Sequence, residues 1–161
     1  MPTDIFMKIN GIQGESRDKG HKDEIDVLTW TWGLSNQVMA PSAGGGAGAG
    51  KVKFQDISFT HLVDKASPNL MLSCASGKHI HEARITVRRS DPTTPQEFLL
   101  IKLQDVMVTG VQSSATRGPE GLMEQVTLNF AKVDFEYKAQ RPDGALEAGA
   151  HFNWDLRLNK P

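Results

Sequence analysis

The run Asp64-Lys-Ala-Ser-Pro-Asn-Leu-Met-Leu-Ser-Cys-Ala-Ser-Gly77 reads as a short capped helix, set in a chain that otherwise alternates like strands. Ser67 can accept an unpaired first-turn amide, Pro68 suits the first helical position, and Gly77 can take the left-handed stop. The helix is therefore expected at about residues 68–76. Nine residues are not stable alone in water, and Leu70, Met71, Leu72, Cys74 and Ala75 leave little polar surface, so the segment has to pack on strands. One helix against many strands predicts a barrel that it plugs or flanks.

The strands follow from period-2 alternation. Ile5, Met7 and Ile9 share a face, and the polar run 13–24 reads as a solvated loop. Leu28, Trp30, Trp32 and Leu34 share a second face, read as core or subunit interface. The apolar face changes parity near Gln55-Asp56, where a β-bulge is expected, and again between Phe130 and Ala131, where a bulge or bend is expected. Ala83, Ile85 and Val87 alternate. Residues 97–111 are apolar on both sides at first, which predicts a strand covered on both faces. Ala150 to Leu158 alternate to the end of the sequence. The sum is a mainly β fold: a small closed or nearly closed antiparallel β-barrel of about eight strands with one short flanking helix.

At 161 residues the length suits one domain spanning 1–161, interrupted by a Gly/Ala-rich run at about 40–50 that has no side chain large enough to pack and reads as a flexible loop. Eighteen Lys and Arg against 19 Asp and Glu name no nucleic acid or anionic membrane as partner. The single cysteine, Cys74, allows no internal disulfide and reads as a small buried side chain. The N-terminal residues have neither a basic n-region nor a long apolar h-region. No catalytic group is expected: there is no Gly-x-Ser-x-Gly elbow, and the glycines of 44–50 lack the Lys-Ser/Thr of a phosphate-binding loop. His79 and His81, with His61 and Cys74, fall short of a metal-ligand pattern, so no metal and no cofactor is expected.

Three segments resemble the Hcp family, the hemolysin-coregulated tube proteins of bacterial type VI secretion. They are Ile9-Asn-Gly-Ile-Gln-Gly-Glu-Ser16 with His21, His61-Leu-Val-Asp-Lys-Ala-Ser-Pro-Asn-Leu70, and Gly77-Lys-His-Ile-His-Glu-Ala83; the ending Phe152-Asn-Trp-Asp155 adds to them. The resemblance implies a structural, non-enzymatic subunit that forms six-membered rings stacking head to tail into a hollow tube. A contractile sheath drives that tube with a VgrG-type spike. The subunit is assembled in the bacterial cytoplasm, then secreted to the medium or a target cell without a cleaved signal peptide, with no membrane insertion. Effector proteins can ride in the ring, so a chaperone or receptor module for such cargo is the alternative reading.

Two sets of contact residues are expected on that basis. Ala43, Gly44, Gly45, Gly46, Ala47, Gly48, Ala49 and Gly50 would order against the next ring. Glu15, Ser16, Arg84 and Arg88 would lie at the subunit interface, with Glu15 pairing an arginine of the adjacent copy.

Overall fold

The computed structural model describes residues 2–37 and 51–161, so the expected inter-ring residues Ala43–Gly50 lie outside the described residues. The strands are β1 (Thr3–Ile9), β2 (Ile25–Asp26), β3 (Thr29–Thr31), β4 (Leu34–Asn36), β5 (Val52–Phe54), β6 (Ile57–Leu62), β7 (Ile80–Arg89), β8 (Gln96–Ala115), β9 (Leu122–Asn129), β10 (Lys132–Tyr137) and β11 (Ala150–Asp155); the helix, α1 (Ser67–Ser76), sits between β6 and β7. Every pairing is antiparallel.

The main sheet runs β2-β1-β7-β8-β9-β6-β3, and β10 and β11 extend it from the first half of β8. Its two ends nearly meet. Residues 25–31 pair with β1 at one end and with β6 at the other, and between them Val27 N–H donates to Ile5 O (2.9 Å) and Leu28 N–H to Thr60 O (2.8 Å). The result is the nearly closed antiparallel barrel that the alternation predicts, divided into more and shorter strands.

Strand β8 makes the curvature. Its first half pairs with β7 and β10 and its second half with β9. Asp105 takes a positive φ of 53°, and the register slips against β7 between Val87 and Arg88 and against β9 between Val108 and Gly110. Burial passes from the odd positions Leu99, Ile101 and Leu103 to the even positions Val106 and Val108 across Asp105, so the 20-residue strand bends with its inward residues still buried. The expected parity at Gln55-Asp56 and Phe130-Ala131 is correct, but both are breaks where the chain changes partner, not bulges within one strand. A bulge and a break leave the same mark on alternation.

The run from Leu28 to Leu34 does not form one strand. Trp32 and Gly33 interrupt it, and β4 leaves to pair only with β5. Leu28 and Leu34 end up exposed, whereas Trp30 and Trp32 pack against the core. Trp32 lies 6.1 Å from Phe54 and from Phe130 and 6.3 Å from Phe135, and its Nε1–H donates to Gln55 O (3.1 Å). Phe54 in turn meets Phe152 and Trp154 at 6.4 and 6.3 Å. These rings tie the β4–β5 ribbon, which leads into the glycine-rich run, onto β10 and β11.

The helix starts at Ser67, one residue before the expected position, and Ser67 is not its cap. Ala66 is the N-cap with no side-chain bond; instead Asp64 Oδ1 accepts Ala66 N–H (2.8 Å), and Ser67 Oγ accepts Asp64 N–H (3.2 Å). Gly77 does end the helix, with φ 64°, and Lys78 N–H closes it on Ser73 O (3.1 Å). Packed against β8, the helix buries only Ser67, Leu70 and Ser73. Met71 and Leu72 face outward, and Cys74 is half-buried instead of buried. Serines flanking Leu70 let the helix lie close to the sheet, so a single leucine anchors it. At the C-terminus β11 stops at Asp155, and Leu158 lies exposed in the turn that follows.

Candidate functional site

Alternation gives each strand an inner set that fills the barrel and an outer set that faces away. The outer sets of the two halves of the sheet are chemically unlike. On β3, β6, β9 and the second half of β8 the outward residues in register include Thr29, Thr31, Ser58, Thr60, Gln125, Thr127 and Gln112, with Gly110 beside Thr127. None carries a charge, and several are held across strands: the hydroxyls of Thr29 and Thr60 lie 2.6 Å apart, and Gln125 Nε2 donates to Ser58 Oγ (2.8 Å). Asp56 stands at the margin, bonded by Thr109 and Asn129 at 2.9 Å each. The outcome is a low, neutral, hydrogen-bonding wall.

The opposite half is charged. Lys8, Arg84, Lys102 and Asp134 fall in one row across β1, β7, β8 and β10. Lys102 reaches Glu82 at 4.0 Å and Lys132 reaches Asp155 at 3.7 Å. His151 sits between Asp134 (3.1 Å) and Glu136 (2.7 Å), and the hydrogen bond to Asp134 holds its imidazole above the ordinary range. Exposed pairs of this kind add little stability, but they fix a pattern that a partner can read.

The four expected contact residues are not brought together. Ser16 and Arg88 line one surface cleft of about 400 Å³. Ser16 is buried, its Oγ accepting Asp18 N–H (3.3 Å). Arg88 donates to Asp4 Oδ2 (3.3 Å) and to Asp18, and lies over the Phe6 ring at 4.9 Å. Its guanidinium draws the Asp18 carboxyl below its ordinary range. Glu15 is exposed and accepts Lys65 N–H (2.9 Å) at the start of α1. Arg84 is half-buried, and among the described residues its Nε has no hydrogen-bond partner.

The other histidines have separate fates. His61, with no exposure, bonds Glu124, also with none, at 2.9 Å, and Ser113 Oγ donates to the second Glu124 oxygen at 3.2 Å. Asp64 lies 3.9 Å from the other ring nitrogen, and burial pushes its carboxyl above the ordinary range. His79 and His81 are exposed. Among the described residues no group of three His, Cys, Asp or Glu is placed to hold a metal ion. The 13–24 run is a loop, as expected, but not a solvated one throughout: Ser16, His21 and Glu24 are buried. The neutral wall was legible as Thr29, Thr31, Ser58 and Thr60 opposite apolar partners; the buried histidines left no local signal.

Comparison with known proteins bears on these surfaces. Residues 6–137 match the family model described as type VI secretion system effector, Hcp. The chain is 46% identical over 160 residues to Protein hcp1 of Pseudomonas aeruginosa, covering 99% of this chain and 98% of that one. It superposes on the crystal structure of Hcp1 from Salmonella typhimurium with a TM-score of 0.80 at 38% identity, each chain covered to 99%. A structure described as a type six secretion system protein gives a TM-score of 0.90 at 26% identity, again with 99% of each chain covered.

Proposed function

Because this chain belongs to the Hcp family of type VI secretion, we propose that it is the structural subunit of the secretion tube, with six copies closing a ring and rings stacking head to tail. The observation that carries the reading is the pair of unlike outer faces. The uncharged wall of Thr, Ser and Gln on β3, β6, β9 and β8 suits the bore, where a passing protein should meet no fixed charge. The charged half suits the outside and the contacts between copies. A nearly closed barrel that leaves short edges and long strands can extend from subunit to subunit in a closed ring.

The finer contacts belong to the same proposal. Residues 43–50 are assigned the contact with the next ring. The unpartnered Arg84 Nε receives a carboxylate of the neighbouring copy, with Glu15 as the candidate. Ser16 and Arg88 shape the loop that carries Glu15. The spike, the sheath and effector proteins are the further partners, and export follows the machine from the cytoplasm to the outside. No helix of the described residues is long and apolar enough to cross a membrane.

Light scattering with negative-stain microscopy tests the ring: six subunits of 17.7 kDa give about 106 kDa and annular particles. Removing residues 43–50 should spare rings and impair tubes. Thr60→Lys should leave rings intact and reduce effector retention; a persistent 17.7 kDa monomer without rings would overturn the proposal.

A further inference from the structure

Loop 13–24 has no regular structure, yet it is closely held. Gly14 N–H donates to Asp23 O (2.8 Å), Ser16 N–H to Glu24 O (2.9 Å) and Asp23 N–H to Ser16 O (2.9 Å). At its centre His21 is 5% exposed, with its ring stacked 4.2 Å from that of Phe6 in β1. The two ring nitrogens meet two different carboxylates: Nδ1 contacts Glu24 of the same loop, and Nε2 lies 2.8 Å from Glu97 Oε1 in β8, 76 positions away. Beyond this contact no side-chain hydrogen bond joins the loop to β8 among the described residues.

A neutral imidazole carries one N–H, so it can donate to one carboxylate while its other nitrogen presents a lone pair to the second. Only the imidazolium donates to both. The two carboxylates differ in what they can do without a donor. Glu24 has a side chain 7% exposed, and its Oε1 has no partner among the described residues, so losing Nδ1 would leave it bare. Glu97 is 54% exposed and can turn to water. The remaining charges around the ring are Asp18 and Arg88, which pair with each other, and Lys19 and Asp91 on the rim of the adjoining cleft; Asp4 and Asp26 lie on the Phe6 side.

We propose that His21 is a proton-dependent latch, fastening loop 13–24 to β8 through Glu97 while the ring carries two protons and releasing Glu97 when it carries one. The loop also holds Glu15 against the Lys65 amide, so release loosens the start of α1 as well. His151 shows the same arrangement in the open, between Asp134 and Glu136. The latch is a property of the folded subunit and stands whether or not rings stack.

Hydrogen–deuterium exchange of the full chain, read on peptides covering 13–24 and corrected for intrinsic exchange, tests it at about pH 5.5 and about pH 8.5, either side of the ordinary imidazole range. Protection of the loop should fall about tenfold or more at the higher pH, the loss expected for a hydrogen bond to a charged group, while β9 stays unchanged. Glu97→Gln can donate to a neutral ring or accept from a charged one, so it should keep the loop protected at both pH values. His21→Gln should lose protection at both. A wild-type loop equally protected at both, or a Glu97→Gln protein with the wild-type pH response, would overturn the latch; Glu97 is exposed enough for that variant to fold even if His21→Gln does not.

Discussion

The buried His61–Glu124 pair offers the sharpest test of how this barrel is held together. Both side chains have no exposure, they meet at 2.9 Å, and Ser113 satisfies the second Glu124 oxygen at 3.2 Å. Each therefore has a partner whose loss strands the other in the core. His61→Leu and Glu124→Met, chosen to keep volume, should each cost about 3–5 kcal/mol, since breaking a buried pair leaves an uncompensated group. With an unfolding entropy of about 2.1 cal/mol/K per residue over this length, that is a fall in Tm of roughly 9–15 °C. The double variant removes both groups together and should cost less than either single change, because apolar replacement of a whole buried pair is often near neutral. The assay is a double-mutant cycle by urea and thermal unfolding, at one protein concentration so that assembly contributes equally. Additive losses, with the double variant falling by the sum of the two singles, would refute the coupling.

The Arg88 cluster predicts an acid-side effect. Its hydrogen bond draws Asp18 below the ordinary value of 3.8, so the stabilisation is complete above that value and is lost as pH falls through the folded value. Arg88→Gln should lower urea stability at neutral pH, and the gap from wild type should close under strong acid; a gap that persists there would argue against it. At the helix stop, Gly77 has φ 64°, and an added Cβ would meet only Met107 Cε, at an ordinary contact distance of 3.9 Å. Gly77→Ala should therefore cost about 1–2 kcal/mol in thermal unfolding, from backbone strain alone. Gly77→Asn should cost less, since asparagine tolerates that conformation better.

The position and stop of α1, the inner sets of β1 and β7, and the Hcp family itself were all legible in the chain, because caps, turns and alternation are local and the motif segments are contiguous. Alternation failed where the chain changed partner. It could not say that Leu34 leaves Leu28 and Trp30 to join Phe54, nor that one strand would become β9 and β10. It also could not see which faces are covered, so Met71 and Leu72 looked like core and His21 like solvent. Nor could it show that Arg88 pairs with Asp4 and Asp18 of its own subunit. What the sequence determined by itself is which residues share a face, since φ and ψ preferences and side-chain period act within a few residues. What only the tertiary structure decided is what each face meets: His61 finds Glu124 across 63 positions and His21 finds Glu97 across 76. Burying such groups is favourable only when the distant partner is already in place, and nothing within the segment itself encodes that partner.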